Sequence, residues 1–200
     1  MRKLALAIAF FCLLAAEAEA QLPSGNVFFG YSYDRATLST PAPLPDQGGI
    51  VSSGSGGLNG WDASVEGKFL PLLGIVADFS GHYGSQSVTT VCGFVPRCVP
   101  TRLNMNATMY NFLVGPQLSF SVGKVRPFAH ALFGAGHLSE TMPGPFSTSS
   151  TGFAYALGGG MDYRLLGPLR WRLQADFLQD RFFSGTQQNF RFSTGPVLHF

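Results

Sequence analysis

The last twelve residues, Asn189-Phe-Arg-Phe-Ser-Thr-Gly-Pro-Val-Leu-His-Phe200, alternate between two kinds of side chain. Phe190, Phe192, Leu198 and Phe200 fall on one face, and Asn189, Arg191, Ser193 and His199 fall on the other. A period of two predicts a β-strand with one apolar and one polar face. In a soluble sheet the apolar face needs a core, whereas in a membrane-spanning barrel it meets lipid and the polar face lines the interior. The rest of the chain decides between the two.

The first twenty residues have the three parts of a secretory signal peptide. Met1-Arg-Lys3 is positively charged, Leu4 to Ala16 is an uninterrupted apolar run, and Ala18-Glu-Ala20 is a small-x-small cleavage site. We therefore expect cleavage of residues 1–20, with Gln21 as the mature start and 21–200 as one domain. The apolar run is too short to span a bilayer as a helix, and no similar run follows.

The cysteines predict a disulfide. Cys12 lies in the apolar run and is expected to leave with the signal peptide, whereas Cys92 and Cys98 lie in a connection bounded by Gly and Pro. Two cysteines so spaced in an exported protein indicate a disulfide rather than a metal site, because other metal-ligating residues are missing nearby. No metal or other cofactor is indicated.

The composition is unusual for a soluble surface. Charged residues make up 12% of the chain, against about 25% in ordinary domains. The chain has 25 glycines and 19 phenylalanines among its 200 residues. A net charge of +2 without a basic run gives no indication of a nucleic-acid partner.

Eight segments show period-two alternation, at about 25–35, 58–70, 73–84, 104–120, 126–138, 151–165, 169–181 and 189–200. The connections alternate between long ones (36–57, 84–103, 139–150, 182–187) and short ones (71–72, 122–124, 167–168). That order predicts an all-β fold, an eight-stranded antiparallel up-and-down transmembrane β-barrel with its short turns in the periplasm. The faces of the fifth segment are too similar to orient it. Pro116 and Pro196 cannot donate to a strand ladder, and we expect a β-bulge at each.

A soluble lipocalin-like barrel also has eight strands, and the charged residues argue against it. Their predicted positions are all on the polar faces: Asp34, Asp62, Glu66, Lys68, Asp78, Asp162, Arg164, Arg170, Arg172, Asp176 and Arg191. So many charges would leave a soluble barrel without a core. In a membrane they are expected to plug a narrow lumen by pairing Asp62, Glu66 and Asp78 with Arg164, Arg170, Arg172 and Arg191, in an order that the sequence leaves open. The alternative is that they line a narrow or gated path.

The mature chain resembles the outer-membrane β-barrel domain family, the OmpA-like and OmpX-type eight-stranded barrels. The resemblance is carried by the strand order, the signal peptide, Gly158-Gly-Gly-Met-Asp-Tyr163, Arg170-Trp-Arg-Leu-Gln-Ala-Asp-Phe177 and the terminal Phe200. It implies residence in the outer membrane of a Gram-negative bacterium, contact with outer-membrane lipids and insertion by the outer-membrane assembly machinery. By the same resemblance Phe192, Leu198 and Phe200 form the insertion signal. We expect no peptidoglycan-binding domain after Phe200, so cell-wall tethering is not implied.

The favoured function is a non-enzymatic barrel that presents four loops for surface interaction or envelope integrity, with an unknown surface partner. The ring that a Cys92–Cys98 disulfide would close is the favoured binding surface, and protection from proteases is the simpler role for it. A narrow channel or carrier for small solutes is the main alternative.

Two groups of side chains suggest other chemistry. His137-Leu-Ser139-Glu140 is similar to the His and Ser spacing of lipid A deacylases, although an interfacial turn explains it more simply. His82, His130 and His199 are predicted to lie far apart, which disfavours a metal site. The aromatic residues Tyr31, Trp61, Tyr83, Tyr163 and Trp171 fit belts at the lipid interfaces better than a ligand platform.

Overall fold

The computed structural model describes residues 24–42, 50–89, 102–141, 147–182 and 185–200. They form eight strands: β1 (Gly25–Ala42), β2 (Ile50–Lys68), β3 (Leu73–Thr89), β4 (Arg102–Ser119), β5 (Val125–Thr141), β6 (Ser147–Leu166), β7 (Leu169–Phe182) and β8 (Gly185–His199). Each strand pairs with the next one, and β8 pairs with β1, so the sheet is a closed barrel. The predicted signal peptide (1–20), Cys92 and Cys98 lie outside the described residues.

No helix that is long and apolar enough to cross a membrane occurs in these five ranges.

The first and last strands of the sheet are joined at the C-terminal residue. The Gly25 amide donates to the Phe200 carbonyl at 3.0 Å, and the Phe200 amide donates to the Gly25 carbonyl at 3.1 Å. The β1–β8 ladder then runs from Asn26 opposite His199 to Thr37 opposite Gln188. The terminal residue therefore closes the barrel through its backbone as well as presenting an aromatic ring.

The short turns lie together at one end, which is the predicted periplasmic end. Residues 69–72 connect β2 to β3, 120–124 connect β4 to β5, and 167–168 connect β6 to β7. Gly123 and Gly167 have φ angles of 61° and 55°. Other residues rarely adopt this left-handed region, so glycine permits the tight reversal.

At the other end the strands are longer than the alternation predicts. β1 continues to Ala42, which pairs with Ile50 of β2, although 36–57 was expected to be a connection. Similarly, β5 and β6 pair as far as Thr141 with Ser147. The expected boundaries were wrong here because Ser, Thr and Gly carry no two-faced pattern, while their backbones still pair. Strands of 14 to 20 residues exceed the roughly 9–11 that a membrane requires.

The expected bulges at the two prolines are also absent. Pro116 pairs with Ile75, and Pro196 pairs with Trp171, both in unbroken register. On the other side of each proline the ladder skips two residues and resumes in the same register. Each missing N–H is therefore accommodated by a local gap without an inserted residue. The register shift recorded among these strands lies between Arg164 and Leu166.

The two faces of the strands meet different surroundings. Large apolar side chains, including Phe29, Phe79, Phe112, Leu157 and Leu173, are exposed on the outside of the barrel. The face of β5 that the sequence left undetermined is now assigned, because Arg126, Phe128 and His130 are buried inside. This arrangement is that of a membrane barrel, with an apolar exterior and a polar interior.

Candidate functional site

The barrel interior is the candidate site, because it holds nearly all the buried polar side chains. Two networks, each centred on an arginine, occupy it from the short-turn end to its middle. We call them the Arg172 network and the Arg191 network. Towards the other end, the interior holds an apolar cluster together with further buried polar side chains.

In the Arg172 network, a guanidinium forms a fork with a carboxylate. Arg172 Nε donates to Asp162 Oδ1 at 2.7 Å and Nη2 to Oδ2 at 3.0 Å. Asn26 Oδ1 accepts from Nη2 at 3.2 Å. The rings of Phe28 and Phe128 lie 5.0 and 4.5 Å from the guanidinium carbon, within cation–π range. Arg172 is thus neutralised, hydrogen-bonded and packed.

A second arginine belongs to the same network. Arg126 Nη2 donates to Glu66 Oε2 at 3.2 Å and to Ser119 Oγ at 2.7 Å. The Nη1 atom of Arg126 lies 2.9 Å from His199 Nδ1. Asn26, which accepts a hydrogen bond from Arg172, donates one from Nδ2 to Glu66 Oε2. Two arginines and two carboxylates therefore balance near the short turns.

The Arg191 network lies deeper. Arg191 Nη1 donates to Asp78 Oδ1 at 2.9 Å, and Nη2 donates to Asp176 Oδ2 at 2.7 Å. His130 Nε2 lies 2.8 Å from Asp176 Oδ1, and Gln174 donates to Oδ2 at 2.9 Å. All these side chains are buried. Charge-assisted bonds of this kind are short and strong.

The half of the lumen away from the short turns is filled differently from the sequence expectation. Its buried apolar cluster, which also includes Val76 nearer the short turns, comprises Leu58, Val76, Ala107, Met109, Leu113, Leu132, Leu138, Ala154, Ala156 and Leu178. For β4 the sequence predicted a polar inner face, and that expectation was wrong at Met109 and Leu113; the faces of β5 were left unassigned. Inward positions of β4 and β5 near this end carry apolar side chains, and the same half also holds the buried Asp34, Asp180 and Asn189.

The structure brings some of the expected charged residues together and leaves others apart. Asp78, Asp162, Glu66, Asp176, Arg172 and Arg191 all form ion pairs in the lumen. Asp62 lies 4.0 Å from Arg191 Nη1 and accepts no hydrogen bond.

Three of the expected basic residues lie at the short-turn rim. Lys68 Nζ donates to the Pro71 carbonyl and Arg164 Nε to the Gly167 carbonyl, each at 3.3 Å. Arg170 stands opposite Arg164 in the β6–β7 register. No ion pair is recorded for these three within the described ranges.

Sequence reasoning missed Arg126 and His130, because β5 could not be oriented. The signal that could have found Arg126 is its charge, because it faces Asp162 across the β5–β6 ladder. Opposite charges at facing positions favour that register. The polar Asn26 and the acidic Asp180 also belong to the interior and were not among the expected plug residues.

The histidines offer no accessible catalytic arrangement within the described chain. His137 points outward, and its Nδ1 lies 2.8 Å from Thr151 Oγ1. A different His and Ser pair, His82 Nε2 and Ser32 Oγ, is 2.9 Å apart. Both are fully buried, however, and His82 Nδ1 has no hydrogen-bond partner to orient the ring.

No group of three or more His, Cys, Asp or Glu side chains in the ranges that the structure covers could hold a metal ion by chelation.

The residues expected to form the insertion signal share the outer face of β8 and its end. Phe192, Leu198 and Phe200 are all exposed there. Their rings and aliphatic carbons would contact lipid once the barrel is inserted.

An apolar exterior around a closed, polar-cored barrel defines an integral outer-membrane β-barrel. The chain belongs to the outer membrane protein beta-barrel domain family, whose model matches residues 4–195. It therefore resides in the bacterial outer membrane in contact with lipid.

Solved barrels share this fold. Ail, the attachment invasion locus protein of Yersinia pestis, has a crystal structure in complex with the heparin analogue sucrose octasulfate. Its sequence is 14% identical to this one, the match covers 89% of this chain and 100% of Ail, and the TM-score is 0.56. Neisserial surface protein A is 13% identical over 88% of this chain and 97% of its own, with a TM-score of 0.57. OprG from Pseudomonas aeruginosa is 9% identical over 90% of this chain and 97% of its own, with a TM-score of 0.54. At such identities the likeness shows the fold alone. A comparison with curated protein sequences gave no match.

Proposed function

We propose that this protein is a closed, non-enzymatic outer-membrane barrel that acts through its outer loops, in surface interaction or envelope integrity. The observation that carries the proposal is the filling of the lumen. Arg172 and Arg191 are at most 1% exposed. Each guanidinium donates hydrogen bonds to carboxylates of other strands. An eight-stranded barrel is just wide enough for its inner side chains to fill it. The apolar cluster adds a second obstruction to polar solutes.

The loops are the remaining surface for function. In this proposal residues 1–20 are removed, and Cys92 and Cys98 form a disulfide on the connection between β3 and β4. That disulfide would hold residues 93–97 as a stiff ring, which loses less entropy on binding than a flexible loop. Thiol labelling of intact cells before and after reduction tests it. Labelling only after reduction is expected, and labelling before reduction would contradict it.

Single-channel recording in a planar bilayer tests closure. The purified, refolded protein is expected to give no steady openings under conditions in which a porin control conducts. Reproducible openings would reject the closed barrel and favour the narrow channel or carrier for small solutes.

A lipid A-modifying activity is the least favoured reading, since the exposed His137 contacts Thr151 and the Ser32–His82 pair is sealed inside. Incubation with lipid A and analysis of its acyl chains tests this directly. The proposal expects unchanged lipid A beside an active deacylase control.

A further inference from the structure

The short-turn end of the barrel carries more positive than negative charge. Four basic residues, which we call the basic rim, lie there: Lys68, Lys124, Arg164 and Arg170. Among the described residues of this end, the acidic side chains are Glu66 and Asp162. The first pairs with Arg126 and the second with Arg172, so neither is left for the rim. Even the terminal carboxylate of Phe200 would offset only one of the four charges.

Two cations of the basic rim face each other. Arg164 of β6 stands directly opposite Arg170 of β7, next to the turn at 167–168. Like charges at facing positions of a sheet repel each other. Arg164 Nε donates to the Gly167 carbonyl, and Arg170 Nε is buried without an acceptor. Neither guanidinium meets a carboxylate in the described chain, so an anion held between the two would relieve the repulsion.

The positive charge extends beyond this pair. The Arg164 amide donates to the Lys124 carbonyl at 2.8 Å, so the β4–β5 turn lies beside the β6–β7 hairpin. The charge of Arg170 also acts on Lys68 and on His199. A ligand at the facing arginines therefore enters a field that several strands contribute to. That field favours a group with net negative charge over a zwitterion, which brings a cation of its own.

Exposed apolar side chains place the basic rim at the level of the membrane surface. Leu166, at the tip of the β6–β7 hairpin, is 80% exposed. Leu165 and Trp171, which flank the two arginines, are nearly half exposed. Basic side chains beside an apolar, lipid-facing surface hold their charged ends among the lipid headgroups. An anion that reaches this position is therefore the headgroup of a membrane lipid.

An apolar groove on the outer wall lies beside the facing arginines. Its volume is about 490 Å³, within the ~300–1,000 Å³ of small-ligand sites. Its lining includes Trp171, the residue after Arg170, together with Phe29, Tyr31, Trp61 and Pro196. Trp171 Nε1 donates to Thr194 Oγ1, so the indole has no free donor to leave unsatisfied in lipid. A lining of this kind suits a hydrocarbon chain.

We propose that the short-turn end binds an anionic phospholipid, with its phosphate between Arg164 and Arg170 and an acyl chain in the apolar groove. The phosphate accepts hydrogen bonds from guanidinium N–H groups that have no protein acceptor. Lys68 and Lys124 add the positive field that disfavours zwitterionic headgroups. The site lies at the rim and on the outer wall, so a closed and a conducting barrel would both carry it. The conductance experiment and this inference can therefore fail separately.

Bromine quenching of tryptophan fluorescence tests the proposal, because both tryptophans of the chain line the groove. The refolded mature protein is reconstituted in phosphatidylcholine vesicles that contain a minority of phosphatidylglycerol, with bromine on the acyl chains of one lipid or the other. The binding constant of phosphatidylglycerol is expected to exceed that of phosphatidylcholine at least about fivefold, the order of one basic residue's effect at an anionic surface. Equal binding constants would overturn the proposal and favour a soluble acidic partner for the basic rim.

Three double variants locate the effect. R164Q combined with R170Q is expected to remove most of the preference, whereas R164K combined with R170K keeps the charge and should keep most of it. The control, R35Q combined with R181Q, removes two exposed arginines far from the short turns and should leave the preference unchanged. A preference that survives R164Q with R170Q, or that disappears in the control, would contradict the site.

If R164Q with R170Q does not refold, the salt dependence of the wild-type protein gives the same decision. Salt at about 1 M shortens the Debye length to about 3 Å. The preference for phosphatidylglycerol is therefore expected to fall steeply as salt is raised. A preference that salt leaves unchanged would show that charge is not its origin and would contradict the proposal.

Discussion

Replacing Arg191 with methionine should be among the most damaging single changes in this barrel. Arg191 donates five hydrogen bonds, to Asp78, Asp176 and Ser80, from a fully buried position. Methionine fills much of the same volume but leaves two carboxylates without their counter-charge. Breaking a buried ion pair in this way costs about 3–5 kcal/mol. We therefore expect R191M to lose about 4 kcal/mol of unfolding free energy, on the order of a thousandfold in the equilibrium constant.

Urea unfolding of the refolded protein in lipid vesicles, followed by tryptophan fluorescence and heat-modifiable gel mobility, measures this loss. R191K keeps the charge without the planar fork and is expected to fall between wild type and R191M. Removing the stranded carboxylates as well, in R191M combined with D78N and D176N, should recover part of the stability. The exposed Arg181 provides the control, since R181M should change stability by no more than about 0.5 kcal/mol. An R191M protein as stable as R181M would refute the reasoning.

Three other predictions concern the wall of the barrel and its assembly. In β2, a Cβ on Gly60 would lie 1.9 Å from the Gly81 carbonyl oxygen, whereas a Cβ on Gly67 would meet nothing within 4 Å. G60A should therefore lower the unfolding free energy by about 1–3 kcal/mol, and G67A should leave it unchanged. Equal effects of the two variants in urea unfolding would contradict the packing. Leu157 in the middle of β6 and Leu166 at its end both face outward, at 50% and 80% exposure. L157R should cost about 2–4 kcal/mol in lipid and L166R about 0–1 kcal/mol, and the reverse order would place the membrane elsewhere. F200S should reduce insertion in cells, measured by surface protease protection, while refolding in detergent stays close to wild type; normal insertion would exclude Phe200 from the signal.

Most of the architecture follows from local alternation. Segments such as Phe153 to Leu165 have two clearly different faces, so strand number, direction and membrane exposure are readable from the sequence. The outer ends of β1 and β2 are not readable, because beyond the membrane neither face needs to be apolar. The bulges expected at Pro116 and Pro196 do not form, because the barrel accommodates each missing N–H by a local gap in the hydrogen-bond ladder.

The candidate site was less predictable than the fold. Sequence placed Arg172 and Arg191 on the polar face, but pairing depends on which strands face each other across the lumen. Arg191 of β8 reaches Asp78 of β3, and that contact crosses the barrel interior, so no hairpin register encodes it. Local pattern likewise gave no sign of the apolar cluster, since Met109 and Leu113 are indistinguishable in sequence from lipid-facing residues.

The central claim is that the apolar faces of the strands meet lipid. Quenching of the fluorescence of the two tryptophans tests this claim most directly. Trp61 and Trp171 are the only tryptophans in the chain. Trp171 is 44% exposed on the outer surface. Trp61 contacts the outward ring of Phe79, with 5.1 Å between ring centroids.

The variants W61F and W171F, reconstituted in bilayers with brominated acyl chains, report on one tryptophan each. We expect strong quenching of both tryptophans by the brominated chains and little quenching by aqueous iodide. Quenching by iodide without an effect of bromine would place these side chains away from lipid and contradict the account.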